Sequence, residues 1–426
     1  MVISLFSVSL VVATVIGPLF YNAITHQLTV LGIYRSVTFA SSSQGIHIIH
    51  DTQQCEDIHY YAPGNLLFAA CEDSIQPRFE WFPPLGHLDK QPETIGSIHT
   101  IDAHTLRSTR LQFTNFYGPL VTHGIDVIPD PERVAGDAVY IFAVNHLGNP
   151  EYDPISDPEA PKTRSQIEIF HHVLGTNSVR HVRSVRHELI KTPNDLYAAS
   201  PHEFYVTNDH YYRSGWGRKV EDLVPWVRWT DVVHVQIDQP AGTTGDETVG
   251  VNATIALPNL WAANGLGHGQ SSEEILVTSV LGGYMKRTTP AAGSGTGGRT
   301  LTVHDQISVD SAIDNPSYYE DPYKTAEDDA SGYVLAGLRR VIDLPKTAGD
   351  PNATEGVIVW HVRRSREKAK EGWEKKVIFE DDGSNIRSSS AAVLVPIQPK
   401  AGGLKEAWLF VTGFISSSAI AVKMQL

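Results

Sequence analysis

Short β-type runs recur along almost the whole chain, while long amphipathic helices are nearly absent. The clearest runs fall at 66–70, 139–144, 167–173, 203–207, 232–237, 274–279, 333–336, 356–362, 391–395 and 407–412, after a first one beginning at Gly45. Between them 34 Gly and 25 Pro are scattered rather than clustered, which marks many turns. Many short strands separated by turns restrict the chain to a sandwich, a barrel or a propeller. Two stretches read as helices: 223–230, with two tryptophans, and 365–376, with dense charge. Two others read as surface insertions, 148–163 rich in Pro, Asp and Glu, and 288–300 built of small residues. Nothing resembling a linker divides 45–426, so it reads as one large β domain.

Composition narrows the chemistry. The formal charge of −14 argues against a nucleic-acid partner, whose binders carry a basic face. With only 2 Cys, Cys55 and Cys71, no thiolate cluster can hold zinc or iron–sulfur centres. The pair flanks an Ala62-Pro63-Gly64 turn and can either bridge across a hairpin or remain as separate thiols. Residues 2–21 carry no charge and no Lys or Arg precedes Arg35. That run, about 20 residues, is long enough to span a bilayer and reads as a signal anchor over 1–24, with a cleaved signal peptide or a buried core segment as the alternatives. Either targeting reading sends the body to the lumen or the outside. Asn252-Ala-Thr254 and Asn352-Ala-Thr354 are then glycosylation acceptors on surface loops.

Acidic and amide residues recur at candidate strand starts: Glu56-Asp57, Asn194-Asp195, Asn264 and Asp314-Asn315, with His123-Gly124-Ile125 between the first two. Successive groups lie roughly 50 to 70 residues apart, the spacing of one four-stranded sheet with its loops. In a propeller the innermost strands line a central channel, so groups far apart in sequence would meet in a ring. Oxygen ligands in an irregular cage suit calcium.

An ordered set of short motifs resembles the paraoxonase/arylesterase family: Cys55-Glu-Asp-Ile58, Thr122-His-Gly-Ile125, Ala143-Val-Asn-His146, Pro193-Asn-Asp-Leu196, Thr207-Asn-Asp-His-Tyr211, Ala263-Asn-Gly265 and Ile313-Asp-Asn315. The resemblance implies a six-bladed β-propeller with a central calcium tunnel holding two Ca²⁺, preceded by an N-terminal hydrophobic helix, and hydrolysis of lactones and aryl esters. Carried over residue by residue, it implies that Glu56, Asn194, Asn264, Asp314 and Asn315 hold a catalytic ion. Asp57, Asp195 and the main-chain carbonyl of Ile125 would hold a deeper, structural one. It further implies His123 as the base that activates water, His146 as its partner, and His210 at the pocket mouth.

Three departures stand out. The family usually ties its first and last strands with a disulfide, whereas Gly45 and Met424 fall near those positions here. A family pocket histidine is replaced near Arg339, and the two insertions are long. No Gly-x-Ser-x-Gly elbow occurs, which argues against a serine nucleophile. The expectation is a membrane-anchored or secreted calcium-dependent lactonase/arylesterase with a small-molecule lactone or ester substrate. The alternatives are a sugar-lactone hydrolase of a related propeller type, or a calcium-stabilised propeller that only binds partners.

Overall fold

The computed structural model describes residues 21–38, 45–224, 227–238, 246–291, 299–365, 372–400 and 403–426. Its strands form six sheets of four or five strands, plus one short two-stranded ribbon. Blade 1 runs outward from Gln53–Tyr61 through Leu66–Glu72 and Ser97–Asp102 to Ser108–Arg110. Blade 2 follows with Thr122–Pro129, Ala138–Asn145, Gln166–Val173 and Ser178–Val185, and gains Gln112–Thr114 as a parallel outer strand. The innermost strands of blades 3, 4, 5 and 6 are Pro193–Ser200, Ala263–His268, Pro316–Tyr319 and Ser389–Ile397. These six inner strands pack side by side in a closed ring. The architecture is a six-bladed propeller.

The apolar runs are continuous because each blade is covered on both faces. Successive side chains of a strand point to opposite faces, and in Leu66–Glu72 the residues Leu67, Ala69 and Cys71 pack toward blade 6 while Phe68 and Ala70 pack toward blade 2. The same alternation splits Glu406–Gly413, with Leu409 and Val411 facing blade 5 and Phe410 facing blade 1. Six hydrophobic clusters among the described residues are wedges, one between each pair of neighbouring blades. Doubly covered strands lose the hydrophobic–polar alternation of a half-buried one.

Ring closure uses strand pairing alone. Ile46–Ile49 completes blade 6 against Ala419–Gln425, with Ile46 opposite Val422 and Ile49 opposite Ala419. The disulfide that exists lies elsewhere: Cys55 and Cys71 are bonded across the first hairpin of blade 1. It closes a segment with sequence separation 16, worth roughly 3 kcal/mol in the chain-entropy account.

Two expected helices differ. The helix near 223–230 is Gly215–Leu223, and Thr230 already begins a strand; Pro225 lies just downstream, and the residue before a proline avoids helical backbone. Of 365–376, residues 366–371 lie outside the described residues, and Trp373–Asp381 is the outer strand of blade 5. Its charges cover a sheet edge, a pattern that imitates a solvated helix. Of the expected anchor over 1–24, residues 1–20 lie outside the described residues. A helix over 21–30 docks on the propeller through His26 Nε2 to the Gly282 carbonyl (3.1 Å) and Gln27 Nε2 to the Leu281 carbonyl (3.1 Å). No helix among the described residues is long and apolar enough to cross a membrane. The insertion over 288–300 joins two strands of blade 4, and its residues 292–298 lie outside the described residues. Asn352 is exposed in a turn, but Asn252 is exposed within Val251–Leu260, a strand rather than a loop.

Candidate metal centre on the propeller axis

The expected ligands stand where the inner strands lose their register. Pairing is interrupted between Gln53 and Asp57, between Pro193 and Leu196, and between Ala263 and Leu266. Glu56, Asn194, Asp195 and Asn264 all fall inside these gaps, and Asp314 and Asn315 immediately precede the inner strand of blade 5. Such bulges release residues from the ladder and re-aim their side chains. Glycine lets the strands converge. A Cβ on Gly124 would lie 2.6 Å from Asp195 Cα, and one on Gly265 would lie 2.6 Å from Asn315 Cα. Threonine hydroxyls stitch one blade to the next: Thr207 donates to the Asn264 carbonyl (2.5 Å) and Thr278 to the Asp314 carbonyl (2.8 Å).

Neighbouring residues on these strands serve opposite directions, as their pleat requires. Asn194, Asn264 and Asp314 line an upper cavity of about 180 Å³, together with His123, Asp209 and His210. Its walls are apolar, formed by Phe82, Trp261, Ile313, Leu338 and Phe414 among others. Asn315 Nδ2 donates to Glu56 Oε1 at 3.0 Å. Beyond that bond, one buried oxygen on each of Glu56, Asn194, Asn264, Asp314 and Asn315 has no hydrogen-bond partner.

Asp57, Asp195 and Ile125 sit deeper. Asp57 accepts from the Ile125 amide at 3.0 Å and Asp195 from the Leu266 amide at 2.7 Å, so each carboxylate bridges two blades. Burial first, then repulsion from Asp314, Asp57 and Asp195, pushes Glu56 well above the usual carboxylate range. Burial and Asp57 do the same to Asp195, and burial with Asp57 and Asp209 to Asp314.

Orphaned hard oxygens and mutually repelling buried carboxylates are what a divalent cation relieves. The donor types gathered at the axis, four carboxylates and three side-chain amides, fit calcium. Among the described residues no group of three or more His, Cys, Asp or Glu is arranged to hold a metal.

Beside the upper oxygens, His123 Nδ1 lies 3.0 Å from His146 Nε2, and His146 Nδ1 lies 2.9 Å from Ser165 Oγ. His123 Nε2 stands 3.9 Å from Glu56 Oε1. Burial pushes His123 down to about 4 and, with His123 next, holds His146 well below its ordinary value. Both rings are thus neutral at pH 7. At the cavity rim His210 is clamped between Asp209 (2.9 Å) and Asp222 (2.8 Å). Burial opposes its charging, but Asp209 prevails and raises it to about 9.

One cluster escaped the sequence reading. Beneath Asp57, Asp126 receives His59 Nδ1 (3.2 Å), His268 Nε2 (2.8 Å) and the Ala198 amide (2.7 Å). A signal existed: His59 and Asp126 each lie two positions beyond a residue at the axis, Asp57 and Gly124, hence on the same strand face.

The class defined by fold and site is a six-bladed propeller with a buried, oxygen-rich centre on its axis. Residues 115–241 match the family model described as Arylesterase. Serum paraoxonase/arylesterase 2 of Canis lupus familiaris is 26% identical over 215 residues, 50% of this chain and 48% of that protein. The Bos taurus counterpart is 33% identical over 112 residues, 26% of each chain, and human serum paraoxonase/lactonase 3 is 30% identical over 111 residues, again 26% of each. The matched stretches thus span between 26% and 48% of these relatives' lengths. Over these stretches the chain is similar to the paraoxonase/arylesterase family. Among solved structures, a luciferin-regenerating enzyme superposes with a TM-score of 0.44 at 9% identity, covering 89% of this chain and 97% of its own. A calcium-binding regucalcin from Agrobacterium tumefaciens gives 0.42 at 9% identity, covering 89% and 94%. Likenesses this loose carry no functional weight.

Proposed function

We propose that this chain is a calcium-dependent hydrolase of lactones and aryl esters, with residues 45–426 as one catalytic propeller. The observation that carries the reading is the set of five unpartnered buried oxygens, on Glu56, Asn194, Asn264, Asp314 and Asn315, near the His123–His146 pair, with His123, Asn194, Asn264 and Asp314 lining an apolar cavity. Those five residues would hold a catalytic Ca²⁺, and Asp57, Asp195 and the Ile125 carbonyl a structural one. The upper ion, when bound, supplies Lewis-acid polarisation of an ester carbonyl.

The chain's own residues supply the rest. The apolar walls seat the acyl or aryl part of a neutral ester and exclude bulk water. His123 takes the proton of the attacking water at Nε2, the nitrogen that His146 does not engage. His146, anchored by Ser165, fixes the orientation of His123. The hydroxy acid, or the acid and phenol, then leaves through the cavity mouth past His210. The relatives' names, arylesterase and lactonase, agree with this substrate class. The apolar run at 2–21 supports a place in the secretory pathway, anchored or released, with the exposed Asn252 and Asn352 as glycan acceptors.

A panel of lactones and aryl esters assayed with calcium, with EDTA, and with calcium restored tests the reading. Turnover lost in EDTA and recovered with calcium is the expected outcome. Calcium binding without turnover of any ester would leave a binding propeller instead.

A further inference from the structure

Among the described residues the largest fully buried side chain is a cation, Arg78, and the mechanism above does not use it. It lies on a short helix, Gln76–Glu80, in the connection that leaves the second strand of blade 1. Its guanidinium meets Glu72 Oε1 at 2.8 Å, the Thr122 carbonyl at 2.8 Å and the Phe414 carbonyl at 3.1 Å. Glu72 Oε1 in turn accepts the Thr122 amide at 3.1 Å. Thr122, the residue before His123, is thus gripped at both its N–H and its C=O by one ion pair. The same guanidinium lies 4.4 Å from the Phe82 ring centroid. Phe82 packs edge-on to His123 at 5.1 Å and His146 at 5.9 Å. Next to it, Trp81 Nε1 donates to the His146 carbonyl at 2.8 Å.

We infer that Arg78, paired with Glu72, is a positioning residue for the histidine pair: it locks Thr122 and Phe82 so that His123 and His146 keep their 3.0 Å contact beside Glu56. The inference rests on the hydrolytic reading for its kinetic consequence, though not for its geometry. A buried ion pair is a costly way to hold a fold together, since packed apolar residues often do as well. A guanidinium, however, fixes three acceptors in one plane, which a hydrophobic residue cannot do. Small displacements of a base from its partner suffice to slow catalysis strongly.

Two variants test this. Arg78→Lys keeps the charge opposite Glu72 but loses the fork. Arg78→Met with Glu72→Gln removes both charges and leaves no buried ion unpaired. Three readouts apply to each: kcat and KM on phenyl acetate, calcium affinity by chelator competition, and the imidazole nitrogen NMR signals of His123 and His146. The expected result is kcat lowered roughly ten- to a hundredfold, with KM and calcium affinity changed less than about twofold and with altered imidazole signals. Unchanged kcat with unchanged imidazole signals would overturn the inference. So would kcat, KM and calcium affinity worsening together, or failure of both variants to fold, since Arg78 would then only hold the propeller. If the wild-type protein hydrolyses no ester, the hydrolytic reading fails, and the imidazole signals still decide whether Arg78 positions the pair.

Discussion

His123 and Glu56 compete for one role. Glu56 reaches toward His123 Nε2 across 3.9 Å and carries an unpartnered oxygen, so either side chain can receive a proton from water between them. If His123 is the base, His123→Gln lowers kcat by roughly two to four orders of magnitude and leaves calcium affinity unchanged, because imidazole is not a ligand calcium prefers. Near-normal turnover in that variant, with turnover abolished in Glu56→Gln while calcium stays bound, would transfer the role to Glu56. Asn264 and Asp195 test the division between two ions. Asn264→Ala removes a neutral ligand at the cavity floor and is expected to damage turnover more than melting temperature. Asp195→Ala strips the Leu266 amide of its acceptor, costing about 1–3 kcal/mol before any loss of ion, so melting temperature falls first. Measuring both variants for both properties checks the split; parallel losses would erase it. These residues were legible in the sequence because short motifs preserve order even where spacing is loose. Asp126, His59 and His268 were not, since their meeting depends on three strands from blades 1, 2 and 4 leaning together, and the two-residue spacing that ties His59 and Asp126 to the axis says nothing of His268.

Strands were easier to read than helices, and the reason lies in their surroundings. A strand between two blades carries apolar residues on both faces, and ten such runs could be read from the sequence; the outer strand Trp373–Asp381, exposed and charged, passed for a helix. Closure was only half visible: the missing staple could be read from Gly45 and Met424, but not the pairing of Ile46–Ile49 with Ala419–Gln425. Ile49 is wholly buried in the wedge between blades 6 and 1. Ile49→Ala is expected to cost about 2–4 kcal/mol of global rather than local stability in denaturant titration; loss confined to hydrogen exchange in blade 6 would show that the ring tolerates opening. Two buried histidines add an acid limit. His99 in blade 1 is held at about 4 by burial, with Asp73 and Asp51 opposing and Arg110 assisting. His361 in blade 5 is held at about 4 by burial, with Arg363 and Lys376 assisting and Glu374 opposing. A folded value below the unfolded one means the unfolded chain takes up the proton first. Their contribution is therefore complete above pH 6.5 and is lost as pH falls toward 4. Each accounts for roughly 1–3 kcal/mol over that window. His361→Gln should flatten the stability–pH curve between those limits, and superimposable slopes would rule the histidine out.

At the scale of the whole molecule, all six blades converge on a small volume that holds Glu56, Asp57, Asp195 and Asp314. Without a cation these buried carboxylates repel one another across the inner ring, against the packing of the wedges between blades. With one bound, the same charges pull the inner strands together, and mass action adds about 2.7 kcal/mol at a hundredfold excess over Kd. The acidic centre therefore changes sign with occupancy, a consequence of its placement that the sequence conveys only once the strands are known to share an axis. Glu56→Gln isolates the effect, because the amide oxygen can still accept from Asn315 Nδ2 while the charge is gone. In excess calcium the variant should melt several degrees below the wild-type protein, having lost a charged ligand. In chelator the order should reverse, with the variant melting higher because one repelling carboxylate has been removed. Thermal melts of both proteins under both conditions give the answer. If the wild-type protein is the more stable in each, the four carboxylates do not act as one calcium-neutralised cluster, and the axial site has to be divided differently.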